Sequence, residues 1–479
     1  MVKQTLVLYP SPPIGHLISM VELGKLILKY HPSLSITVLV TASPYSPGTT
    51  APYIDRVSKT ISSIHFHYLP TISLPLDPSK PRHHETILFD ILRLNNPLVQ
   101  QALETISQTS SIKALIIDAF CSAALEVAGN LNIPALYFFT SGISDLALFL
   151  YCPSLHETTT KSFKDIDAYL DIPGVPPLLA SDMPQPLMDR SEEIYEIILG
   201  FTSDMGKSQG IIVNSFESLE PRALKALTEG LCVPHAPTPP IYCIGPLIAD
   251  GDGSAGNKNH ECLSWLDSQP NGTVVLLSFG SMGLFSQDQL KEMAIGLEKS
   301  EQRFLWVVRS PATDDKTKHF MAKPEPDLPS ILPEGFLDRT KDRGLVVKSW
   351  APQVEVLSKP AIGGFVTHCG WNSVLEAVRA GVPMVAWPLY AEQRINRVFL
   401  VEEMKVALPM VEAEDGFVNS SEVEKRVREL METNEGKRVR EQTRRMSEAA
   451  KAALSESGSS PRALSKLAEL WKVYDTEDM

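Results

Sequence analysis

Short apolar runs alternate with helix-length segments along the first half of the chain. Six runs rich in Val, Ile, Leu and Phe have the length and composition of strands, and helical patterns at 17–30, 87–106 and 123–131 lie between several of them. The predicted strands are 5–10, 35–42, 64–69, 113–118, 135–140 and 211–216. Strands that are apolar almost throughout are typical of a parallel sheet covered on both faces by helices.

The second half repeats this alternation after a break in the pattern. Its predicted strands are 274–281, 304–308, 345–348, 364–368 and 384–387. Residues 248–259 are rich in Gly, Asp and Asn and have no apolar periodicity, which predicts a linker between domains. We therefore predict an α/β protein with two doubly wound, Rossmann-like lobes. The N-terminal lobe is expected at 1–247 and the C-terminal lobe at 260–460, with a final helix at 461–479 that packs back on the first lobe.

Composition narrows the class of protein. Hydrophobic residues make up 43% of the 479 residues and charged residues 21%, which is the balance of a globular protein with a sizeable core and excludes intrinsic disorder. The 44 Lys and Arg against 57 Asp and Glu give a net charge of −13. Binding to a nucleic-acid backbone is therefore not expected.

The apolar segments predict neither an export signal nor a membrane span. The apolar stretch at 6–9 is too short for the core of a signal peptide. The longest apolar region, 133–152, is interrupted by Thr140, Ser141, Ser144 and Asp145. The six cysteines form no Cys-x-x-Cys pair, which indicates reduced thiols. We expect a cytoplasmic protein.

A histidine and an aspartate follow two of the predicted strands. His16 lies in the turn after strand 5–10, and Asp118 ends strand 113–118. Ligands of open α/β sheets bind at the carboxyl ends of the strands. An imidazole there, oriented by a carboxylate, is suited to act as a general base. The simpler alternatives are a capping or solvated histidine and an aspartate that caps the following helix.

The most specific pattern lies at 350–393. A strand ends at His368, a glycine-containing turn follows, and a helix is predicted from near Ser373. The N–H groups at a helix start form a phosphate site. Glu376, one turn further, is placed to accept both hydroxyls of a ribose. Other residues of suitable chemistry are Trp350 for stacking on a uracil ring, Asn372 for phosphate, and Glu392 and Gln393 for sugar hydroxyls.

This stretch resembles the signature of plant secondary-product glycosyltransferases. The whole chain is similar to the plant family-1 UDP-dependent glycosyltransferases, and it looks closest to those that glucosylate flavonoids, isoflavones and chalcones. The resemblance implies a GT-B fold, in which two Rossmann-like lobes face each other across a cleft and the C-terminal lobe binds most of the UDP-sugar. The segments that carry it are Gly15-His16, Ile117-Asp118, Phe279-Gly280-Ser281-Met282-Gly283, Trp350-Ala351-Pro352-Gln353, His368-Cys369-Gly370-Trp371-Asn372-Ser373 and Glu392-Gln393.

The resemblance also implies roles for single residues. His16 would be the general base, and Asp118 would balance its charge. Gln393 is typical of glucose users, and Trp371 stands where users of glucuronate often carry arginine, so UDP-glucose is the expected donor. The implied UDP-binding residues are Ser281, Trp350, Ala351, Gln353, His368, Asn372, Ser373 and Glu376, and the implied sugar-binding residues are Thr140, Trp371, Glu392 and Gln393.

The expected reaction is a single inverting displacement, in which His16 deprotonates an acceptor hydroxyl that attacks the anomeric carbon of the sugar. No clustered set of Asp and His ligands suggests a metal, and no cofactor is expected. Apolar and aromatic residues of the N-terminal half suit a flat phenolic acceptor, although each of them also suits the core. The predicted pocket residues are Gly15, Phe120, Phe139, Leu146, Leu187 and Tyr390.

Three alternatives stay open on the sequence alone. The chain could form C-glycosides on an electron-rich phenolic ring, or it could glucosylate a terpenoid or a hormone. It could also bind a UDP-sugar without catalysing a reaction, because a fold does not fix a function. Beyond the UDP-sugar and a small acceptor no partner is expected, and we expect a monomer.

Overall fold

The computed structural model describes residues 3–41, 50–72, 82–249, 260–312 and 324–473. The chain divides into two units, one formed by Met1–Leu247 with Ala452–Met479 and the other by Ile248–Lys451. Residues 250–259 of the predicted linker lie outside the described residues.

The first unit is built on a sheet of seven parallel strands. The strands are β1 (Lys3–Tyr9), β2 (Ser35–Val40), β3 (Ile64–Tyr68), β4 (Ser110–Asp118), β5 (Ala135–Phe139), β8 (Ile211–Val213) and β9 (Ile241–Cys243), and a separate two-stranded ribbon is formed by β6 (Tyr169–Leu170) and β7 (Leu178–Leu179). The order in the large sheet is β3-β2-β1-β4-β5-β8-β9. All six predicted strands are present. β9 was not predicted; its apolar run ends after Ile244 at Gly245-Pro246, a pair that is typical of a turn.

Helices of the first unit connect these strands. They are α1 (Ile14–Tyr30), α2 (Ala51–Thr60), α3 (His84–Leu94), α4 (Asn96–Ser107), α5 (Ala124–Asn130), α6 (Ile143–Thr158), α7 (Glu193–Met205) and α8 (Pro221–Thr228). The single helix predicted at 87–106 is wrong, since α3 and α4 are separate. Pro97 lies in the first turn of α4. A proline has no N–H to continue the preceding helix.

The second unit contains a parallel sheet of six strands. They are β10 (Val274–Ser278), β11 (Arg303–Val308), β12 (Gly344–Lys348), β13 (Ile362–Thr367), β14 (Met384–Ala386) and β15 (Ala407–Pro409). Their order is β12-β11-β10-β13-β14-β15. The five predicted strands are present, and the short β15 was not predicted. The two parallel-sheet α/β units confirm the predicted fold class of two Rossmann-like lobes.

Helices of the second unit surround its sheet. They are α9 (Glu261–Asp267), α10 (Gln287–Ser300), α11 (Leu328–Ile331), α12 (Phe336–Thr340), α13 (Gln353–Leu357), α14 (Trp371–Ala380), α15 (Gln393–Val398), α16 (Ser420–Glu432) and α17 (Asn434–Ala453). The helix predicted from near Ser373 begins two residues earlier, at Trp371.

The last helix, α18 (Ser459–Val473), belongs to the first unit. Leu464, Leu467 and Trp471 are buried in the hydrophobic core formed by β1, β2 and α1. The hydroxyl of Ser460 donates a hydrogen bond of 2.6 Å to the carbonyl of Gly245. The part of the chain that belongs to the first unit begins at Ala452, at the end of the long helix α17, and includes the predicted helix region 461–479. Within the described ranges, no helix is both long and apolar enough to cross a membrane.

Both sheets reverse their strand order at an equivalent place. In the first unit β1 has β2 on one side and β4 on the other, and in the second unit β10 lies between β11 and β13. The chain therefore leaves β1 and β4, or β10 and β13, in opposite directions and opens a crevice at the carboxyl ends of these strands. In doubly wound folds such a switch point is where ligands bind.

Candidate active site

His16 and Asp118 meet at the switch point of the first unit. His16 lies in the first turn of α1, directly after β1, and Asp118 is the last residue of the neighbouring strand β4. His16 Nδ1 lies 2.7 Å from Asp118 Oδ2. The Asp118 side chain is completely buried, and that of His16 is 23% exposed. The imidazole is therefore held by a buried carboxylate at the edge of the sheet.

The second oxygen of the Asp118 carboxylate also accepts a hydrogen bond. Its Oδ1 accepts a hydrogen bond of 3.0 Å from the N–H of Phe120, which caps the short 3₁₀ turn that follows β4. The carboxylate is thus fixed at both oxygens, and the predicted pairing and the alternative capping role hold together. Thr140, placed after β5, brings its hydroxyl within 3.2 Å of the same His16 nitrogen. A Nδ1–H directed at Asp118 leaves Nε2 as the nitrogen able to accept a proton.

A chain of phenylalanine rings extends from His16 into the first unit. The Phe120 ring lies 5.5 Å from the His16 ring and 5.5 Å from the ring of Phe89 on α3. Phe201 on α7 lies 5.8 Å from Phe89 and 5.7 Å from Phe149 on α6. Phe89 and Phe201 were not predicted, although both lie on the apolar faces of amphipathic helices. The histidine therefore borders an aromatic cluster.

The predicted acceptor-pocket residues occupy different environments. Gly15 and Phe120 are partly exposed beside His16. Phe139, Leu146 and Leu187 are buried, as the alternative interpretation of these residues as core allowed. Tyr390 lies in the second unit, where its ring is 6.1 Å from the ring of His368.

At the second switch point, His368 is enclosed between two glycines. It follows β13 and is 6% exposed. A Cβ atom built on Gly280 or on Gly370 would lie 2.5 Å from His368 Nε2, so only glycine leaves room for the ring. Burial lowers the pKa of His368 to about 4, and its Nδ1 has no hydrogen-bond partner among the described residues. At neutral pH this histidine is an uncharged hydrogen-bonding group at a sheet edge.

Two side chains in the first turns of α14 are hydrogen-bonded to a side chain of α13. Gln353, the first residue of α13, donates from Nε2 to Ser373 Oγ at 2.8 Å and to Glu376 Oε2 at 2.7 Å. The pKa of Glu376 is raised to about 7, chiefly by burial; the hydrogen bond from Gln353 opposes this increase, and the charge of Glu355 adds to it. Asn372 lies in the same first turn of the helix. The structure thus brings together the residues predicted for phosphate and ribose.

Trp350 is an exposed member of the predicted donor residues. It follows β12, is 49% exposed, and has the ring of His260 at 5.5 Å. Ala351 is buried behind it. Ser281, after β10, is exposed and accepts a hydrogen bond at its carbonyl from Arg309. Arg309 was not predicted as a site residue.

Gln393 organises the loop that follows β14. Its Oε1 accepts hydrogen bonds from the N–H groups of Leu389 and Tyr390 at 2.9 and 3.0 Å, and the residue is only 2% exposed. Burial raises the pKa of Tyr390 to about 12, against a hydrogen bond from the Gln393 side chain. Glu392 beside it is partly exposed, whereas Trp371 is buried at the start of α14. Both ends of the Gln393 amide are therefore engaged: Oε1 by the two backbone N–H groups, and one N–H by the Tyr390 side chain, which leaves one amide N–H for a ligand.

Within the parts of the chain that the structure describes, no three or more His, Cys, Asp or Glu side chains are grouped so that they could hold a metal ion.

The raised pKa of Glu376 predicts a pH-dependent affinity for UDP. If the carboxylate accepts the ribose hydroxyls, protonation below about pH 7 weakens binding, and the Kd for UDP rises by up to about tenfold per pH unit. Titration calorimetry between pH 5.5 and 8.5 measures this. A Glu376→Gln variant has no titrating group here and so reveals the part that belongs to UDP itself. A wild-type profile that parallels the variant would contradict the prediction.

Comparison with known proteins gives a consistent result. The family described as "UDP-glucoronosyl and UDP-glucosyl transferase" matches residues 237–449. The chain is 52% identical to UDP-glycosyltransferase 88B1 of Stevia rebaudiana, over 98% of this chain and 99% of that protein. It is also 52% identical to the anthocyanidin 5,3-O-glucosyltransferase of a Rosa hybrid cultivar, over 98% of both. A solved structure of Phytolacca americana UGT2, complexed with UDP-2fluoro-glucose and pterostilbene, superposes with a TM-score of 0.87 at 38% identity, covering 98% of this chain and 100% of that one.

Proposed function

This chain belongs to the family of UDP-glucuronosyl and UDP-glucosyl transferases, and we propose that it transfers glucose from UDP-glucose to a hydroxyl group of a small phenolic acceptor. The observation that carries the proposal is the 2.7 Å contact between His16 and the buried carboxylate of Asp118. A protein that only binds a UDP-sugar needs no imidazole fixed in this way. The chain is an enzyme of the UDP-glycosyltransferase type.

The proposed mechanism is one inverting displacement. The Nδ1–H of His16 donates to Asp118, and Nε2 takes the proton of the acceptor hydroxyl. The acceptor oxygen forms a bond to the anomeric carbon while the bond from that carbon to UDP breaks, and the electron pair leaves with the diphosphate. The configuration of the anomeric carbon inverts. Asp118 stabilises the imidazolium that forms.

The leaving diphosphate is proposed to bind at the switch point of the second unit. Neutral His368 and the N-terminus of α14 offer hydrogen-bond donors and the positive end of a helix dipole to the developing negative charge. Asn372 and Ser373 lie in the first turn of α14, and Ser281 follows β10, the strand that neighbours β13. Because these groups are fixed before the reaction, they stabilise the charge without rearrangement.

Glucose is the proposed sugar. Gln393 is held so that its amide nitrogen can donate to a sugar hydroxyl, and Glu392 and Thr140 are further proposed partners. A glucuronate carboxylate would call for an arginine. At the position where users of glucuronate often carry this arginine, the chain has Trp371. Nearby Arg394 forms an ion pair of 2.9 Å with Glu412. The site therefore favours a neutral hexose.

The phenolic class of acceptor is supported by the rings beside His16. Aromatic faces stack favourably on one another, and Phe120 lies between His16 and Phe89. Two relatives support the same class of acceptor: one is an anthocyanidin glucosyltransferase, and the solved structure of the other holds pterostilbene. A flat aromatic alcohol is thus a better match than an aliphatic one.

Truncating Phe120 is expected to weaken the acceptor selectively. Phe120→Ala removes the ring 5.5 Å from His16, and an aromatic pair contributes about 0.5–1.5 kcal/mol beyond area burial. We expect the acceptor KM to rise roughly two- to tenfold, with an unchanged Kd for UDP. Steady-state kinetics on a phenolic acceptor and calorimetry with UDP measure the two quantities. Phe120→Leu keeps the apolar volume and serves as the comparison, and equal acceptor KM values for both variants and the wild type would contradict the assignment.

We also propose that the reaction needs no metal and that the protein works as a cytoplasmic monomer. The donor groups at His368 and α14 supply what a metal would otherwise supply to the diphosphate. All six cysteines are free and buried, which fits a reducing compartment. One chain carries both the His16–Asp118 pair and the proposed donor residues. Turnover in excess EDTA and sedimentation at working concentration test the first and last points.

The experiment that tests the proposed function is product analysis by mass spectrometry. The purified protein is incubated with UDP-glucose and a panel of flavonoids, chalcones and stilbenes, with UDP-galactose and UDP-glucuronate as parallel donors. We expect one added hexose on a phenolic acceptor, from UDP-glucose, in a bond that acid cleaves. An acid-stable product would indicate a C-glycoside instead. UDP binding without a product on any phenolic would overturn the acceptor assignment.

A further inference from the structure

Arg309 lies at the carboxyl end of β11, the edge of the second sheet that carries the proposed donor residues, and the signature assigns it no role. The strand order places the end of β11 between the ends of β12 and β10. Trp350 follows β12 and Ser281 follows β10, and Arg309 is the first residue after β11. Its side chain therefore starts between two segments to which nucleotide binding is proposed.

The guanidinium of Arg309 joins these two segments by bonding their backbones. Nε donates to the carbonyl of Ser349 at 3.2 Å, and Nη1 donates to the carbonyl of Ser281. A guanidinium presents several N–H groups in a rigid plane, which suits it to hold two acceptors at once. One side chain thus connects the loops after β12 and β10.

The carbonyl of Ser349 belongs to a strained turn. The N–H of Trp350 donates to the carbonyl of Lys348 at 2.7 Å, which closes a three-residue turn around Ser349. Ser349 has φ +63°, a conformation that costs a residue with a side chain free energy and persists only where its surroundings fix it. The turn presents Trp350 with half of its surface exposed. The turn is held on one side by the hydrogen bond of 2.7 Å from the Ser349 N–H to the carbonyl of Val308, and on the other by the bond from the Arg309 side chain to the Ser349 carbonyl.

The charge of Arg309 is not balanced by a carboxylate among the described residues. Burial lowers its pKa, opposed only by the interaction with Tyr390. A structural arginine is ordinarily paired with an acid, because a partly buried cation is costly. Retaining an unpaired guanidinium here is consistent with a use for its fixed hydrogen-bonding geometry.

We propose that Arg309 is a positioning residue for the donor nucleotide: it clamps the Ser349 turn to the Ser281 loop and so holds the indole of Trp350 ready to stack on the base. This inference rests on the proposed function, since it takes UDP as the ligand. Arg309 acts through Trp350 and need not touch the phosphates.

The test is a double-mutant cycle on UDP affinity in the full-length protein. Titration calorimetry with UDP is run on the wild type, Arg309→Lys, Trp350→Ala and the double variant. Lysine keeps the charge but cannot bond both carbonyls. We expect Arg309→Lys to raise the Kd about 10- to 100-fold, with kcat at saturating UDP-glucose within about twofold of the wild type. In the Trp350→Ala background the same change is expected to cost less than about threefold.

Arg303 provides the matched control. It is the first residue of the same strand, β11, at the opposite end of the sheet from the donor edge, and its Nε is buried without a partner among the described residues. Arg303→Lys is expected to leave UDP affinity unchanged, so a loss shared by both variants would indicate general damage to the strand and overturn the inference. Thermal unfolding of each variant shows whether the fold is intact.

Three other results would overturn the positioning role. Wild-type affinity in Arg309→Lys would show that charge, not the two-point geometry, is required. Equal losses in the presence and absence of Trp350 would show that Arg309 acts elsewhere. If Arg309→Lys binds uridine, which lacks phosphates, as tightly as the wild type does, then Arg309 contacts the diphosphate directly instead. A wild-type protein that fails to bind UDP at all would refute the proposed function itself, which is a distinguishable outcome.

Discussion

Replacing His16 with alanine is expected to lower kcat by roughly a hundred- to ten-thousand-fold, the usual contribution of a positioned general base, while UDP still binds with its wild-type affinity. The reason is the geometry of the pair: the imidazole is held 2.7 Å from a buried carboxylate, and alanine removes the only proton acceptor of this kind at the end of β1. The proposed UDP-binding residues all lie in the second unit. Product formation under saturating substrates and calorimetry with UDP measure the two effects separately.

Two further variants test whether the loss of turnover in His16→Ala comes from the missing base. Asp118→Asn places an amide N–H against Nδ1, favours the wrong tautomer of His16, and should lower kcat by about a hundredfold or more. His31→Ala is the matched control, because His31 caps the opposite end of the same helix, α1, where its ring packs on Trp471. It is expected to retain full turnover. A protein in which His16→Ala and His31→Ala are equally active does not use His16 as a base.

The pairing of His16 with Asp118 could be anticipated but not demonstrated from the sequence. Both residues follow apolar strands, and carboxyl ends of parallel strands lie along one edge. The sequence does not say which strands are neighbours, since about a hundred residues separate the two. The order β2-β1-β4 decides it. That order depends on packing between helices on both faces of the sheet, which no local pattern encodes.

The signature at 350–393 was predictable for a different reason. Its residues are close in sequence, and their spacing is set by one strand and one helix start. Arg309 could not be found in this way, because its partners are the carbonyls of Ser281 and Ser349, and a backbone acceptor leaves no trace in side-chain identity. The short strands β9 and β15 were missed because prolines mark their segments as turns: Gly245-Pro246 follows the apolar run of β9, and Pro409 lies within β15.

Gln393 shows where a resemblance and a structure say different things about one side chain. Its predicted role was to contact the sugar, yet its Oε1 is fully engaged by the N–H groups of Leu389 and Tyr390. The residue type is therefore required first to shape the loop, and after the hydrogen bond to the Tyr390 side chain only one amide N–H is left for recognition. A sequence pattern records that an amide is needed and not which of its atoms is used.

Replacing Gly280 with alanine is expected to lower UDP affinity about tenfold or more. The new Cβ would lie 2.5 Å from His368 Nε2, and the backbone there has φ +71°. The contact is with the ring of a residue that is almost fully buried, so the ring must move away from its place at the switch point. A non-glycine residue at positive φ adds about 1–3 kcal/mol of backbone strain. Calorimetry with UDP measures the loss, and thermal unfolding measures the strain.

Two other glycines separate the steric effect from the backbone effect. Gly370 has φ −61°, so Gly370→Ala adds no such strain, yet its Cβ would also lie 2.5 Å from His368 Nε2. Gly272 has φ +67°, and a Cβ added to it would meet no atom within 4 Å, so Gly272→Ala adds backbone strain alone. If His368 must stay in place to bind the diphosphate, both Gly280→Ala and Gly370→Ala lose UDP affinity, whereas Gly272→Ala loses about 1–2 kcal/mol of stability and binds UDP normally. If Gly370→Ala binds UDP as tightly as the wild type does, the position of the His368 ring does not determine donor binding.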